Sequence, residues 1–449
     1  MNTTLPPTYE QLASLVITQS AQITHLQHQI IVLEAEVETL RKGPPVGSGK
    51  VVPAFVKANK PTLEAKTRLK RLKNSSRRKD TPTKTITHEV KNCPKCQRKL
   101  TFGWLHRTRQ VIEIPEVRYE VVEHRMMRAK CGVCGTSTVA KPDLSQEVVG
   151  KHRVGVRLMS FIVTLKKMGR MTVRSIHKLL KSMYGLHLSL GAITELLHDV
   201  AELGAAFYEK LKGELRESPY VHADETSWRE NGHNHWVWSF STPDVRLIEI
   251  NKSRGHLVPK LFFGDQWHGV LCSDFYPGYS YYLGEHQKCW VHYLRDIKEL
   301  MQKHPHDGLF EKWSNQVSGI WKAAKEFNSK ELKERVQARR SFQNELVALA
   351  RPYIGKEDGF VFRVLANRII NHSNQMFTFV EYENVPPDNN PAERAIRPMV
   401  IYRKVTGGSR TTKGSQTTAV LMSCLMTWQV RGLDPIKECV KMITETKTK

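Results

Sequence analysis

Two short apolar runs with the same ending constrain this chain more than anything else in it: Tyr220-Val221-His222-Ala223-Asp224 and Val270-Leu271-Cys272-Ser273-Asp274. Each has the length and composition of a strand, and each stops on an aspartate followed by turn-like polar sequence. Between them Trp236-Val237-Trp238-Ser239-Phe240 and Val245 to Ile250 read as two more strands, and His256 to Phe263 as a helix. Three strands, a helix and a fourth strand predict a mixed α/β core. If the first and fourth strands lie side by side, the carboxylates of Asp224 and Asp274 converge and can bridge divalent ions. Mg²⁺ prefers such hard oxygen ligands and keeps positions open for phosphate oxygens. Taken singly, either acid is equally well explained as a turn residue after a strand.

A third acid ligand is wanted, and the best candidate is Glu393 in Pro387-Asp388-Asn389-Asn390-Pro391-Ala392-Glu393-Arg394. Its structural reading is strong, because Asn390 suits an N-cap, Pro391 the first helical position and Glu393 the third, as in a capping box, with Arg397 one turn further on. Against that stands the charge around it. Arg394, Arg397, Arg403, Lys404, Arg410 and Lys413 follow within one helix and the Gly407-Gly408 loop. Metal-bridging acids beside a cationic surface suit phosphodiester chemistry, so these six are candidate DNA contacts.

The whole chain leans the same way. Across 449 residues, 69 Lys and Arg face 44 Asp and Glu, a formal charge of +25. An excess of this size calls for a polyanion, and nucleic acid is the leading partner, against a merely basic surface. Between residues 50 and 91 basic side chains crowd against only Glu64, Asp80 and Glu89. Few residues there can form a core, which describes a basic linker that tracks DNA phosphates or a solvated tether. No apolar run approaches the ~20 residues of a membrane span, and no signal-peptide plan opens the chain. The expectation is a soluble, cytoplasmic protein without membrane contact.

Upstream, apolar residues step by sevens in two series, Ile23, Ile30, Val37 and Leu26, Leu33, Leu40. β-Branched residues at a and leucines at d favour a parallel two-stranded coiled coil, with Glu36 placed to reach Arg41 of a partner. A homodimer is the expectation, and a helix packed on its own chain the alternative. Cys93-Pro94-Lys95-Cys96 and Cys131-Gly132-Val133-Cys134 bracket strand-like alternation at Val117, Tyr119 and Val121, which predicts a ribbon holding structural Zn²⁺ on four thiolates. The alternative is four free cysteines. Residues 153 to 212 read as helical, with Ile176, Leu179, Leu180 and Met183, a Gly185-containing turn, and Ile193, Leu196 and Leu197 after a Ser189 start. That is the shape of a helix-turn-helix, or of a plain core hairpin.

The ordered set of zipper, four-cysteine ribbon, His222-Ala223-Asp224-Glu225-Thr226, Ser273-Asp274-Phe275-Tyr276-Pro277-Gly278-Tyr279, Cys289-Trp290-Val291-His292-Tyr293-Leu294-Arg295 and Asn389-Asn390-Pro391-Ala392-Glu393-Arg394-Ala395-Ile396-Arg397-Pro398 resembles the transposases of bacterial insertion-sequence 66-type elements. The resemblance covers nearly the whole chain. It implies a ribonuclease H-like catalytic domain whose Asp-Asp-Glu triad is Asp224, Asp274 and Glu393, holding two Mg²⁺ or Mn²⁺ ions. It further implies DNA partners (the element's terminal repeats and the target), a DNA-associated location, and room for accessory proteins encoded by the element. Cys289 and His292 resemble a Cys-x-x-His element of such enzymes, in a supporting role, with a buried Cys and an incidental His as the alternative. Val405 stands where an Asn is common and Leu294 where an Arg-like residue is, and neither removes a metal ligand.

The expected organisation is multidomain: a coiled-coil segment 1–42, basic linker 43–91, zinc ribbon 92–142, helix-turn-helix region 143–215, the catalytic core's first part 216–295, a helical insertion 296–378, and the core's last part with a C-terminal helix 379–449. The rival function is a non-catalytic regulator that binds DNA through zinc ribbon and helix-turn-helix. A second rival is a nuclease that cuts without joining.

Overall fold

The computed structural model describes residues 80–446, apart from 115, 151, 265–266 and 356–358. The heptad segment and the linker up to residue 79 lie outside the described residues. The chain divides into two compact units, 1–113 and 114–449.

In the described part of the first unit, the Cys93–Cys96 turn is closed by a bridge between Asn92 and Lys99. The second unit begins with a small antiparallel hairpin, β1 (Arg128–Lys130) and β2 (Ser137–Val139), around the other cysteine turn. The strand expected at Val117, Tyr119 and Val121 is not there, and all three residues are exposed. Alternation becomes a strand only where a second layer covers the apolar side, and none does.

Four helices follow: α1 (Val156–Lys167), α2 (Val173–Tyr184), α3 (Leu190–Leu203) and α4 (Ala205–Arg216). Their ends are written locally. Thr172 and Ser189 accept the backbone N–H groups of Ser175 and Ala192, and Gly185 ends α2 in the left-handed region at φ 68°. Helix-turn-helix shape is therefore present, but it is not a free module. Ile176, Ile193 and Leu197 share one buried cluster with Leu421, Leu425, Trp428 and Ile443 from the C-terminal region.

The sheet comprises β3 (Tyr220–Glu230), β4 (His233–Ser241), β5 (Arg246–Asn251), β6 (Val270–Ser273) and β7 (His286–Lys288), with α5 (Leu257–Phe263) crossing between β5 and β6. Its spatial order is β5-β4-β3-β6-β7; β3, β4 and β5 form an antiparallel meander, while β6 and β7 run parallel to β3. Asn231 and Gly232, both at positive φ (48° and 81°), make the tight turn of the first hairpin. The four expected strands are all found. The extra one, β7, is three buried polar residues with no apolar period to announce it.

Along β3 and β4 alternate side chains go to opposite layers. One face buries Val221, Ala223, Trp238 and Phe240 against Leu211 and Leu215 of α4 and Phe262 and Phe263 of α5. Phe240 lies flat on Phe262 with ring centres 3.9 Å apart. Each such fully buried ring contributes roughly 1.5–3 kcal/mol.

Next come α6 (Trp290–Lys303), α7 (Gly308–Glu326), α8 (Leu332–Ala350), α9 (Arg363–His372) and α10 (Thr378–Glu381). They enclose a core of their own around Trp290, Phe310, Trp313, Phe362 and Phe377, and Trp321 stacks on Trp290 at 5.0 Å. The chain closes with α11 (Asn390–Thr406), α12 (Thr412–Val430) and α13 (Pro435–Glu445). Ile396, Met399 and Tyr402 of α11 and Met422 of α12 cover the second sheet face at Trp228, Val237 and Ile248.

Candidate active site

The parallel pairing of β3 with β6 sets Val221 opposite Leu271 and His222 opposite Cys272. Two residues further along each strand, Asp224 and Asp274 come level. Asp224 Oδ1 accepts the Glu225 N–H and Asp274 Oδ1 the Tyr276 N–H, each at 2.9 Å, so each carboxyl is set by a backbone N–H of its own segment; Asp274 follows the end of β6 as expected, whereas β3 runs on to Glu230 and Asp224 lies within it.

Asn389 brings the third acid. Its Nδ2 donates to Ala223 O at 2.8 Å, which turns its Oδ1 to His222 Nδ1, also at 2.8 Å; the proton of His222 therefore sits on Nδ1. Burial holds the His222 imidazole down to about 4, so it is neutral. The Asn389 N–H donates to Cys289 Sγ at 3.1 Å, and the Cys289 N–H to Ser273 O at 3.0 Å. One residue thus ties the start of α11 to β3 beside Asp224 through its side chain, and to the start of α6 through its backbone N–H. Glu393 follows one turn later, with Oε1 at 3.3 Å from His292 Nε2 and 3.8 Å from Arg295 Nη2. The capping-box reading of this helix fails: α11 begins at Asn390, the cap residue is Asn389, and its side chain is spent on β3. The hydrogen bond at the helix start comes instead from Asp388 Oδ1, which accepts the Asn390 N–H at 3.0 Å.

The electrostatics join the three acids. Asp224 is pushed up to about 7, first by burial and then by the negative charges of Glu225, Asp274 and Glu393. Glu393 Oε1 is buried and accepts no hydrogen bond. A crowded set of carboxylates, one with an orphaned oxygen, is the donor chemistry a divalent cation satisfies. The arrangement is nevertheless open. Among the described residues, no three His, Cys, Asp or Glu side chains are gathered closely enough to hold an ion. Glu393 Oε1 faces His292 and Arg295.

Three residues escaped sequence reasoning. Asn389 looks in the sequence like ordinary helix-start polarity. Lys288, buried, donates through Nζ to Ser273 Oγ (3.0 Å) and Asp274 O (2.9 Å); burial pulls it down to about 8, while Asp274 and Glu225 hold it up. Glu225, next to Asp224, accepts the Tyr279 hydroxyl at 2.6 Å and pairs with Arg254 at 2.9 Å. Burial raises its carboxyl above the usual range. The visible hint for both acidic and basic additions was their adjacency to Asp224 and Cys289.

Of the six candidate cations, Arg394, Arg397, Lys404, Arg410 and Lys413 are exposed. Arg403 donates to Thr226 Oγ1 at 3.3 Å and to Ser227, pinning α11 to β3, and Lys413 pairs with Glu195 at 3.6 Å.

The two cysteine turns, each taken within its own unit, have the same construction. Cys93 N–H donates to Arg98 O and Gln97 N–H to Cys93 O; Cys131 N–H donates to Thr136 O and Gly135 N–H to Cys131 O. Gln97 and Gly135 both take positive φ, 60° and 73°. Backbone N–H groups lower the Cys93 thiol, and Thr136 brings Cys134 down to about 7. Within each turn, taken by itself, a thiol held toward thiolate is the donor chemistry of a soft metal ligand.

No helix among the described residues is long and apolar enough to cross a membrane. No match is found among curated proteins. A sequence model of the Transposase IS66 family matches residues 151–417, a span that takes in the sheet, the helices α6 to α10, Asp224, Asp274 and Glu393. With more than half of its length so matched, the chain belongs to the IS66 transposase family.

Proposed function

We propose that the protein is a DNA transposase that binds the ends of its insertion sequence and performs metal-dependent strand cleavage and strand transfer. The observation that carries this reading is Asp224, half-buried beside Asp274 and within the field of Glu393, in a chain of a transposase family. The sheet order β5-β4-β3-β6-β7 supports a ribonuclease H-like domain. Asp224, Asp274 and Glu393 would hold two Mg²⁺ or Mn²⁺ ions, which supply charge stabilisation to the attacking and leaving oxygens of an in-line displacement.

The chain's own residues supply the geometry. Asn389 sets α11 against β3, Lys288 steadies the backbone carbonyl of Asp274, and His292 with Arg295 governs the direction of Glu393. Exposed Arg394, Arg397, Lys404 and Arg410 offer cations to DNA phosphates. Water hydrolyses the phosphodiester at the element's end, leaving a 5′-phosphate and a 3′-hydroxyl, and that 3′-hydroxyl then displaces a 3′-oxygen in target DNA, the transfer step alone forming one phosphodiester for the one it breaks. Zn²⁺ on Cys93, Cys96, Cys131 and Cys134, pairing of two protomers through the heptad segment, and a cytoplasmic, DNA-associated location complete the reading.

The open arrangement of the acids favours a second reading, a DNA-binding regulator without catalysis. A strand-transfer assay with labelled element ends, with and without Mg²⁺, separates them. Joined product only with Mg²⁺, and none from Asp274→Asn at unchanged end binding, supports the transposase. Binding without any cleavage supports the regulator. Cleavage in which no 3′-end appears in a second duplex leaves a nuclease.

A further inference from the structure

On the sheet face away from α11, Glu225 carries a cluster the chemistry above does not use. Its side chain is 2% exposed, yet it accepts Arg254 Nε at 3.2 Å and Nη2 at 2.9 Å as well as the Tyr279 hydroxyl. The Arg254 guanidinium carbon lies 4.0 Å from the Tyr276 ring centre and 4.6 Å from that of Trp236. The Tyr276 hydroxyl donates back to Arg254 O at 3.0 Å. A residue between β5 and α5 is thereby bound both to the strand bearing Asp224 and to the turn that follows Asp274. Its side chain is still 43% exposed.

A surface arginine ordinarily wanders through many rotamers, and fixing one is unfavourable. Here a buried carboxylate and two rings fix it in advance. Glu225 takes Nε and Nη2, so the Nη1 donors remain for another acceptor. The cation also lies within electrostatic reach of Asp274. DNA approaching Asp224, Asp274 and Glu393 meets three like charges, and a rigid positive group beside them offsets that repulsion where a backbone phosphate must pass.

We propose that Arg254, held by Glu225, Tyr276 and Trp236, is a DNA-backbone contact that receives a phosphate flanking the scissile one. The proposal rests on reading the acids as the site where DNA is cut. Arg254 was absent from the cations the sequence singled out, because its significance comes from a carboxylate 29 residues away.

Element-end duplexes carrying one neutral methylphosphonate at each position around the cut, bound by the full-length protein without divalent metal, test it. Removing Arg254 alone would strand Glu225, so the informative variant is Arg254→Gln combined with Glu225→Gln, with Arg254→Lys beside it. Wild-type protein should lose about tenfold in affinity at one flanking phosphate. The double variant should bind unmodified DNA about tenfold more weakly and lose nothing further at that phosphate, its salt slope falling by about one. Arg254→Lys should recover part of the loss. If the double variant keeps the wild-type penalty at every position, or wild type shows none at the flanks, the contact does not exist. Because no cleavage is measured, this result is independent of whether Asp274→Asn abolishes strand transfer.

Discussion

Strand β3 carries an acid near each end of its functional stretch, and the fold treats the two in opposite ways. Glu230, at the hairpin end, receives the Thr412 hydroxyl at 2.7 Å and the Ser415 hydroxyl, with His235 at 3.6 Å. Burial pushes its carboxyl up, but the two hydroxyls prevail and hold it below the usual glutamate range. The chain is drawn tight there: Ser409 N–H donates to Arg229 O at 2.8 Å. Gly408 stands at φ 110°, where a Cβ would fall 2.1 Å from that same carbonyl. Asp224, six positions earlier, has acids for neighbours and is pushed up to about 7. One carboxylate is satisfied by its own protein and anchors β3 to α12. The other is half-buried among like charges that the fold leaves uncompensated, which is what distinguishes a candidate site from a scaffold.

The largest test of this contrast is activity. Asp224→Asn should lower strand transfer roughly 1,000-fold or more, whereas Glu230→Gln should leave its rate within about threefold where the protein stays folded. Equal losses would erase the distinction. Stability should then divide the pair with opposite signs. Glu230→Gln breaks charge-assisted hydrogen bonds and should cost on the order of 2 kcal/mol in urea unfolding near neutral pH. Because the folded state lowers this carboxyl, its contribution is present above the ordinary glutamate range and fades as the pH falls through it.

Asp224 works the other way. Its folded value, about 7, lies above the ordinary aspartate range, so its ionisation destabilises the metal-free protein as pH rises through that interval. Asp224→Asn should therefore raise metal-free stability by about 1–2 kcal/mol near pH 8 and by almost nothing near pH 4. A loss at both values would show Asp224 to be structural. The smallest effect is the most direct. Adding Mg²⁺ near pH 7 should release about half a proton per protein at the Asp224 site, and Asp224→Asn should abolish that release.

Much of the sheet was legible because strand periodicity is a local property. Val221 and Ala223, Trp238 and Phe240 alternate with their neighbours whatever lies far off in the chain, and Asn231-Gly232 dictates its own turn. β7 was not legible, since His286, Gln287 and Lys288 are polar residues buried by partners the sequence does not place beside them. Thr378 Oγ1 donates to His286 O, and Gln287 Nε2 to Met376 O at 3.1 Å. The helix-turn-helix pattern was legible as two helices and a turn. Its docking on α12 and α13 was not, since an apolar stripe does not say which surface it will meet.

At the candidate site, residue type and position along the chain already made Asp224, Asp274 and Glu393 candidates, two acids after short apolar runs and one opening a helix crowded with arginines, although β3 runs on past Asp224 to Glu230. Glu393's orientation toward His292 and Arg295, the proton on His222 Nδ1, and the raised Asp224 carboxyl belong to tertiary structure alone. Each depends on groups brought close by folding, such as the 167 residues that separate His222 from Asn389. A dihedral or a period is decided by neighbours in the chain; a charge is decided by whatever space holds it, and only the folded protein sets that space.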